Sequence, residues 1–340
     1  MLQTRLYFAG SAPKAVDQYV VSQGWSRLFS QLNDRSRIEK WMQFKDENPD
    51  LWLFIDSGAF SAYTKGVDIN LDDYINYMNT NGDYFNVMVQ VDTIPGKTSA
   101  EQDVEIYLKA PKLCWDNFLD MRSKLRPEIR SRFIPVYHEG EDWQWLDNML
   151  SWVDPETHEQ LKYIGIAPHM ELSSNHRRDF GLEVYRHIKK LNPEVKTHAF
   201  GMTALDVLKY VPYTSVDSTT WLKSAIYGGI LVPRGKSGKL CLVNVGERTT
   251  NSPDHFCYKG ADTKKFLLNL IESYGFDVSE LATLTPNQNV LEEREENITN
   301  SIAQRQMFNA KAMMKYLEDN DFIGAGKSTR RLVASGGVTR

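Results

Sequence analysis

The chain has 340 residues, 41% hydrophobic and 25% charged, which suits one large globular domain with an appendage or two modest domains. A net charge of −4 argues against a generally basic coat for nucleic acid, while leaving room for a local basic groove. Three cysteines, Cys114, Cys241 and Cys257, form no disulfide framework and point to a reducing compartment. Residues 1–6 lack a signal-peptide core and no apolar run approaches membrane-spanning length, so a soluble cytoplasmic protein is expected.

Short apolar runs alternate with amphipathic segments along most of the chain. The runs cover residues 6–10, 51–55, 84–91, 132–137, 163–167, 197–201 and 213–217, with an eighth at either 229–233 or 240–245. Helical patterns lie between them, as at 71–78 and 180–191. Strands alternating with helices imply crossover connections and a parallel sheet. About eight units over roughly 250 residues predict a TIM-like (β/α)8 barrel ahead of an open doubly wound sheet. The alternation stops near residue 258, so residues 1–260 read as the barrel domain and 261–340 as a helical extension. The extension is expected to hold helices at 264–274 and 289–318, the second packed on the barrel wall, and a tail with Lys327, Arg330, Arg331 and Arg340.

In a parallel barrel the functional face lies beyond the C-terminal ends of the strands. The run ending Phe54-Ile55-Asp56-Ser57-Gly58-Ala59-Phe60 delivers an acid, a hydroxyl, a glycine and an aromatic ring there. Later strand ends supply Asp92, His138 with Glu139, Gly165, Phe200 with Gly201, and Asp217. A single aspartate at a strand end more often caps a helix or bonds a loop amide. Three with apolar lead-ins are different, because clustered carboxylates repel and persist where chemistry or a cation offsets the cost. Two chemistries suit them. One is divalent-metal binding by Asp56, Asp92 and Asp217; the other is substitution at a sugar anomeric carbon, with one carboxylate attacking and another handling protons. Phe60 and Phe200 favour the second, since facing rings sandwich a flat base and each stack contributes about 1–3 kcal/mol.

The order Asp-Ser-Gly-Ala-Phe at 56–60, then Asp92, Gly165, Phe200-Gly201 and Asp217-Ser218, resembles the tRNA-guanine transglycosylase superfamily over residues 50–240. Within it the chain looks most like phage-type DNA 7-deazaguanine transglycosylases, which exchange guanine in DNA for a base such as preQ0. The resemblance implies Asp217 as the nucleophile on C1′ and Asp56 as the general acid/base. It implies that Asp92 reads the base edge, with the Gly165–Ile166 backbone at the base carbonyl and Phe60 and Phe200 on the two ring faces. Ser57, Gly58 and Gly201 complete the implied substrate pocket. His138 stands where the tRNA enzymes carry glutamine, so a base contact and a satisfied strand-end histidine are both open for it.

The same resemblance implies DNA and a free 7-deazaguanine base as partners, with host cytoplasm as the location if the chain is phage-encoded. Whether two copies pair is left open. No catalytic cofactor is implied. The tRNA enzymes hold zinc with a compact Cys-x-Cys-x-x-Cys cluster and a histidine; here only Cys241, His255 and Cys257 occupy the region. That is a weak zinc signal, and buried structural cysteines are the expected reading. Arg234, Lys236 and Lys239 lie in a glycine-containing segment that resembles the family's basic loop, suited to phosphate contacts without sequence readout.

Overall fold

The computed structural model describes residues 4–93, 104–169, 171–234, 239–287 and 295–320. Nine short strands make one sheet: β1 (Arg5–Ala9), β2 (Ser26–Ser30), β3 (Leu53–Asp56), β4 (Val87–Val89), β5 (Phe133–Ile134), β6 (Val136–His138), β7 (Tyr163–Ala167), β8 (Lys196–Ala199) and β9 (Ser215–Ser218). Their spatial order is β5-β4-β3-β2-β1-β9-β8-β7-β6. The pairings from β1 to β5 and from β6 to β9 are parallel, and Arg5 N–H donates to Thr214 O at 2.9 Å beside β9.

The two ends of that order are one strand. β5 and β6 are separated by Pro135 alone, which has no N–H to give to a neighbour. Its carbonyl accepts from Gly165 N–H at 2.8 Å, so the segment pairs with β4 on one side and β7 on the other. The sheet therefore closes on itself with eight staves, a (β/α)8 barrel of the TIM type.

The eighth stave differs from the expected one. Residues 229–233 and 240–245 do not enter the barrel; β10 (Gly229–Arg234) and β11 (Lys239–Asn244) form an antiparallel hairpin of their own. The missing stave is β2, whose Ser-Arg-Leu-Phe-Ser sequence hides its burial. Arg27 is fully buried: its guanidinium donates to Phe8 O at 3.0 Å and lies over the rings of Phe29 and Trp41. A charge satisfied this way is tolerated inside the fold, but it breaks the apolar run that marks a strand.

The chain divides into two compact units. β1 and Ser26–Asp217 form the first, which carries the barrel as far as Asp217 on β9; Gly10–Trp25 and the described residues from Ser218 to Asn320 belong to the second. The hairpin, which the sequence groups with a barrel domain at 1–260, thus falls in the second unit. There Asn309 sits fully buried, accepting from Leu231 N–H at 2.7 Å and donating to Trp221 O and Gly229 O. It lies on the last helix, Ile302–Asp319, which Ser301 caps through Gln304 N–H. The expected helix at 289–318 therefore starts later, with residues 289–294 outside the described residues; the expected one at 264–274 is Ala261–Ser273. The basic tail from Lys327 to Arg340 is also outside them. Among the described residues no helix is long and apolar enough to cross a membrane.

Alternation along the staves fills the barrel. Tyr7, Ala9, Leu28, Phe54, Val87, Val89, Ile134 and Val136 form its core, with Trp52, Tyr163, Ala167 and Phe200 packed against them. Space inside is tight where β7 meets β8. A Cβ on Gly165 would lie 2.8 Å from a Phe200 ring carbon and 3.1 Å from a Val136 methyl. Gly165→Ala should therefore destabilise the protein by about 1–3 kcal/mol and displace the Phe200 ring. Thermal unfolding tests this, and an unchanged midpoint would mean the ring gives way freely.

Candidate active site

Each expected carboxylate ends a stave, and each is held by different neighbours. Asp56 closes β3 and leads into the helix Ala59–Lys65. The turn between them needs glycine: Gly58 has φ +86°, and a Cβ there would sit 2.4 Å from Ser30 Oγ. Gly58 N–H donates to Asp56 Oδ2 at 3.2 Å, and Ala59 N–H donates to Ser57 Oγ at 3.3 Å. Ser57 is buried and braces the turn. Burial, the Asp92 charge and, more weakly, the Asp217 charge push the Asp56 carboxyl up to about 7, although backbone N–H groups pull it back. Asp56 therefore feels both of the other acids across a single barrel mouth.

Asp92 lies just beyond β4. Buried Gln90 donates to its Oδ1 at 2.9 Å, and His138 Nε2 lies 3.3 Å from its Oδ2. The other ring nitrogen of His138 lies 2.9 Å from Glu141 Oε1. Burial works against charge on this imidazole, but Asp92 and Glu141 outweigh it and raise His138 to about 10. At neutral pH it is an imidazolium whose two N–H groups are committed to two carboxylates. Both ring nitrogens of His138 thus have carboxylate neighbours, as a satisfied strand-end histidine would, and the ring braces Asp92. Glu141, three residues on, had no sequence signal of its own.

Asp217 ends the inward-facing set on β9 and is 7% exposed. Gly201 N–H donates to its Oδ1 at 2.8 Å, which gives Gly201 a positioning job. His198 Nε2 lies 3.3 Å from the same oxygen, and the ring is fully buried. His198 was not expected. Its position two residues before Phe200 on one strand face was the available signal.

Phe200 follows β8, with its ring edge-on to Phe54 and His198 at centroid distances of 6.0 and 4.6 Å. Phe60, on the helix after Asp56, is 71% exposed, and the two phenylalanine rings do not touch. Gly165 N–H is used by Pro135 O, and Ile166 O accepts from Phe200 N–H at 3.0 Å. These groups belong to the barrel ladder, so the visible role of Gly165 is to make room for Phe200. A cleft of about 380 Å³ opens beside Asp92, lined also by Ala59, Tyr63, Asp68, Leu71 and Asn117.

The other expected residues lie in the second unit. Cys241, His255 and Cys257 are not brought together as a group of three metal-ligating side chains. His255 Nδ1 accepts from Cys257 N–H at 3.1 Å, and the Cys257 thiol donates to Leu284 O at 3.3 Å. Among the described residues, no three His, Cys, Asp or Glu side chains are grouped to hold a metal ion, the barrel aspartates included. Arg234 and Lys239 face each other in register across the hairpin; Lys236 is outside the described residues. No protein-family model matches the chain, and no curated protein matches it significantly.

Folding raises the Asp56 pKa above the ordinary carboxylate value, so the folded state favours the protonated acid. Its contribution to stability is complete below about pH 4 and is lost as pH rises through about 7. Asp56→Asn, which cannot ionise, should be more stable than the parent by roughly 1–3 kcal/mol at about pH 8, with no such gain near pH 4. Denaturant titrations at the two pH values measure this; equal differences would show that Asp56 is not held protonated.

Proposed function

We propose that this chain is a base-exchange transglycosylase that replaces guanine in DNA with a free 7-deazaguanine base such as preQ0. One observation carries the reading. Two carboxylates share a barrel mouth beside an aromatic ring, one keeping its proton near neutral pH and one held at a single oxygen by positioned donors. Acid/base work needs the first, and covalent attack needs the second.

In the proposed reaction Asp217 attacks C1′ of the nucleotide. The bond from C1′ to the guanine nitrogen breaks as a bond from C1′ to the carboxylate oxygen forms. Asp56 gives its proton to the departing base. The incoming base then enters the slot and surrenders its ring N–H proton to Asp56. Its nitrogen displaces Asp217 from C1′, and two inversions restore the original anomeric configuration. Asp92, fixed by Gln90 and the His138 imidazolium, is positioned to accept from the N–H edge of the base. Phe200 supplies a ring face, and exposed Phe60 supplies another where DNA enters. The target nucleotide has to leave the stack, at a cost of a few kcal/mol that such contacts offset.

DNA is preferred over tRNA because the chain looks most like the phage-type DNA enzymes and lacks the compact zinc cluster of the tRNA enzymes. Arg234, Lys236 and Lys239 are assigned to the phosphate backbone because their glycine-containing segment resembles the family's basic loop.

Offering labelled preQ0 with guanine-containing DNA and with tRNA side by side tests the proposal. Label should enter DNA, with EDTA leaving the rate unchanged. Asp217→Asn should abolish incorporation, and Asp56→Asn should slow it by roughly 10²–10⁴-fold with DNA affinity near normal. Incorporation into tRNA alone would move the chain to the RNA branch. Full activity in Asp217→Asn would remove the nucleophile assignment.

A further inference from the structure

Alternation places Tyr163 on β7, His198 on β8, and Ser215 and Asp217 on β9 toward the barrel interior. Tyr163 OH contacts Ser215 Oγ in a short hydrogen bond, and Ser215 Oγ lies 2.6 Å from His198 Nδ1. His198 Nε2 in turn points at Asp217 Oδ1. Ser215 is 1% exposed and His198 wholly buried, so no bulk water substitutes for any of these partners. Apolar rings box the imidazole, with Phe54 and Tyr7 at centroid distances of 4.4 and 6.0 Å and Phe200 on a third side. A polar column through a barrel core costs stability unless every member is paired.

We infer that Tyr163, Ser215 and His198 form a one-directional hydrogen-bonded chain that positions Asp217, capping its Oδ1 and leaving Oδ2 to attack C1′. The inference rests on the reading of Asp217 as the nucleophile. Direction follows from counting protons. A carboxylate oxygen only accepts, so Nε2 must carry the hydrogen; Nδ1 then offers a lone pair, which Ser215 O–H fills. Ser215 Oγ accepts from Tyr163 O–H, the terminal donor. In the reverse direction the bare Nε2 lone pair would face the carboxylate. Burial disfavours the imidazolium and outweighs the pull of Asp217, so His198 is a neutral donor.

Oδ1 therefore receives two donors, Gly201 N–H and His198 Nε2–H. His198 Nε2 lies 3.3 Å from Oδ1 without a well-aligned hydrogen bond, and such contacts commonly tighten in a reacting complex. When the C1′–Oδ2 bond forms, Oδ1 becomes an ester carbonyl that keeps both donors. When the incoming base breaks that bond, the same donors meet the charge returning to the carboxylate. No proton travels along the chain. His198 is thus a positioning residue, with Ser215 and Tyr163 holding its tautomer.

The tautomer is read directly by nitrogen-15 NMR of His198, independently of any activity. The expected result is a neutral ring protonated at Nε2 in the parent, with Nδ1 protonation appearing in Ser215→Ala. In the base-exchange assay Ser215→Ala should lower kcat about 10-fold or more with KM values for DNA and base changed less than about 2-fold. His198→Leu should lose about 100-fold or more. His198→Gln, whose amide can donate from near the Nε2 position, should recover about 10-fold over His198→Leu. A parent ring protonated at Nδ1 overturns the inference, as does a Gln variant no better than Leu at equal thermal stability. Absence of exchange in the parent would fail the transglycosylase reading, while the tautomer measurement would still decide the chain's direction.

Discussion

Mutual repulsion among three carboxylates in one barrel mouth is the constraint on which this site depends. Each acid meets it differently. Asp56 keeps its proton near neutral pH, so it adds little negative charge. Asp92 is paired with an imidazolium that Glu141 also holds. Asp217 accepts from a backbone N–H and lies 3.3 Å from the ring nitrogen of a buried imidazole. The three solutions are linked, because the charges on Asp92 and Asp217 help keep the proton on Asp56. Removing the charge of one acid therefore changes the protonation of another.

The barrel core is built to allow this. Its β1–β6 side is mostly apolar, with Leu28, Phe54, Val87, Val89, Ile134 and Val136 filling it. The β7–β9 side carries the hydrogen-bonded run from Tyr163 through Ser215 to His198, with Asp217 3.3 Å beyond. Phe54 and Phe200 press on His198 from the core, and Gly165 gives up its side chain so that Phe200 fits. Packing and polarity are therefore one problem here: a ring moved to relieve crowding would also loosen the imidazole beside Asp217.

Much of this was legible in the sequence, for a physical reason. Asp56, Asp92 and Asp217 follow apolar lead-ins, and a buried strand of known direction has one end at which an acid can reach water. The lone missed stave, β2, contains Arg27, whose burial depends on Phe8 O and on two rings distant in sequence. The two runs read as candidate eighth staves are equally apolar, but the short glycine- and lysine-containing segment between them suits a hairpin better than a crossover. His138 could not be assigned from its neighbours alone, since its charge depends on Asp92 on another stave as well as on Glu141. His198 was hidden because histidine inside a strand more often packs than acts.

The roles proposed for Asp56 and Asp217 are not interchangeable, and the reason lies in what surrounds each one. An acid that titrates near 7 spends much of its time protonated and is a poor nucleophile, but it can give and take a proton at little cost. Asp217 offers the complement. Its Oδ1 accepts from Gly201 N–H and lies beside the buried His198 ring, so in the proposed reaction Oδ2 is the oxygen left to attack. Exchanging a base requires both properties in alternation: covalent attack, proton delivery, proton removal and release. A single carboxylate cannot hold a proton and present a free charged oxygen at once. Two staves of one barrel, β3 and β9, divide that labour.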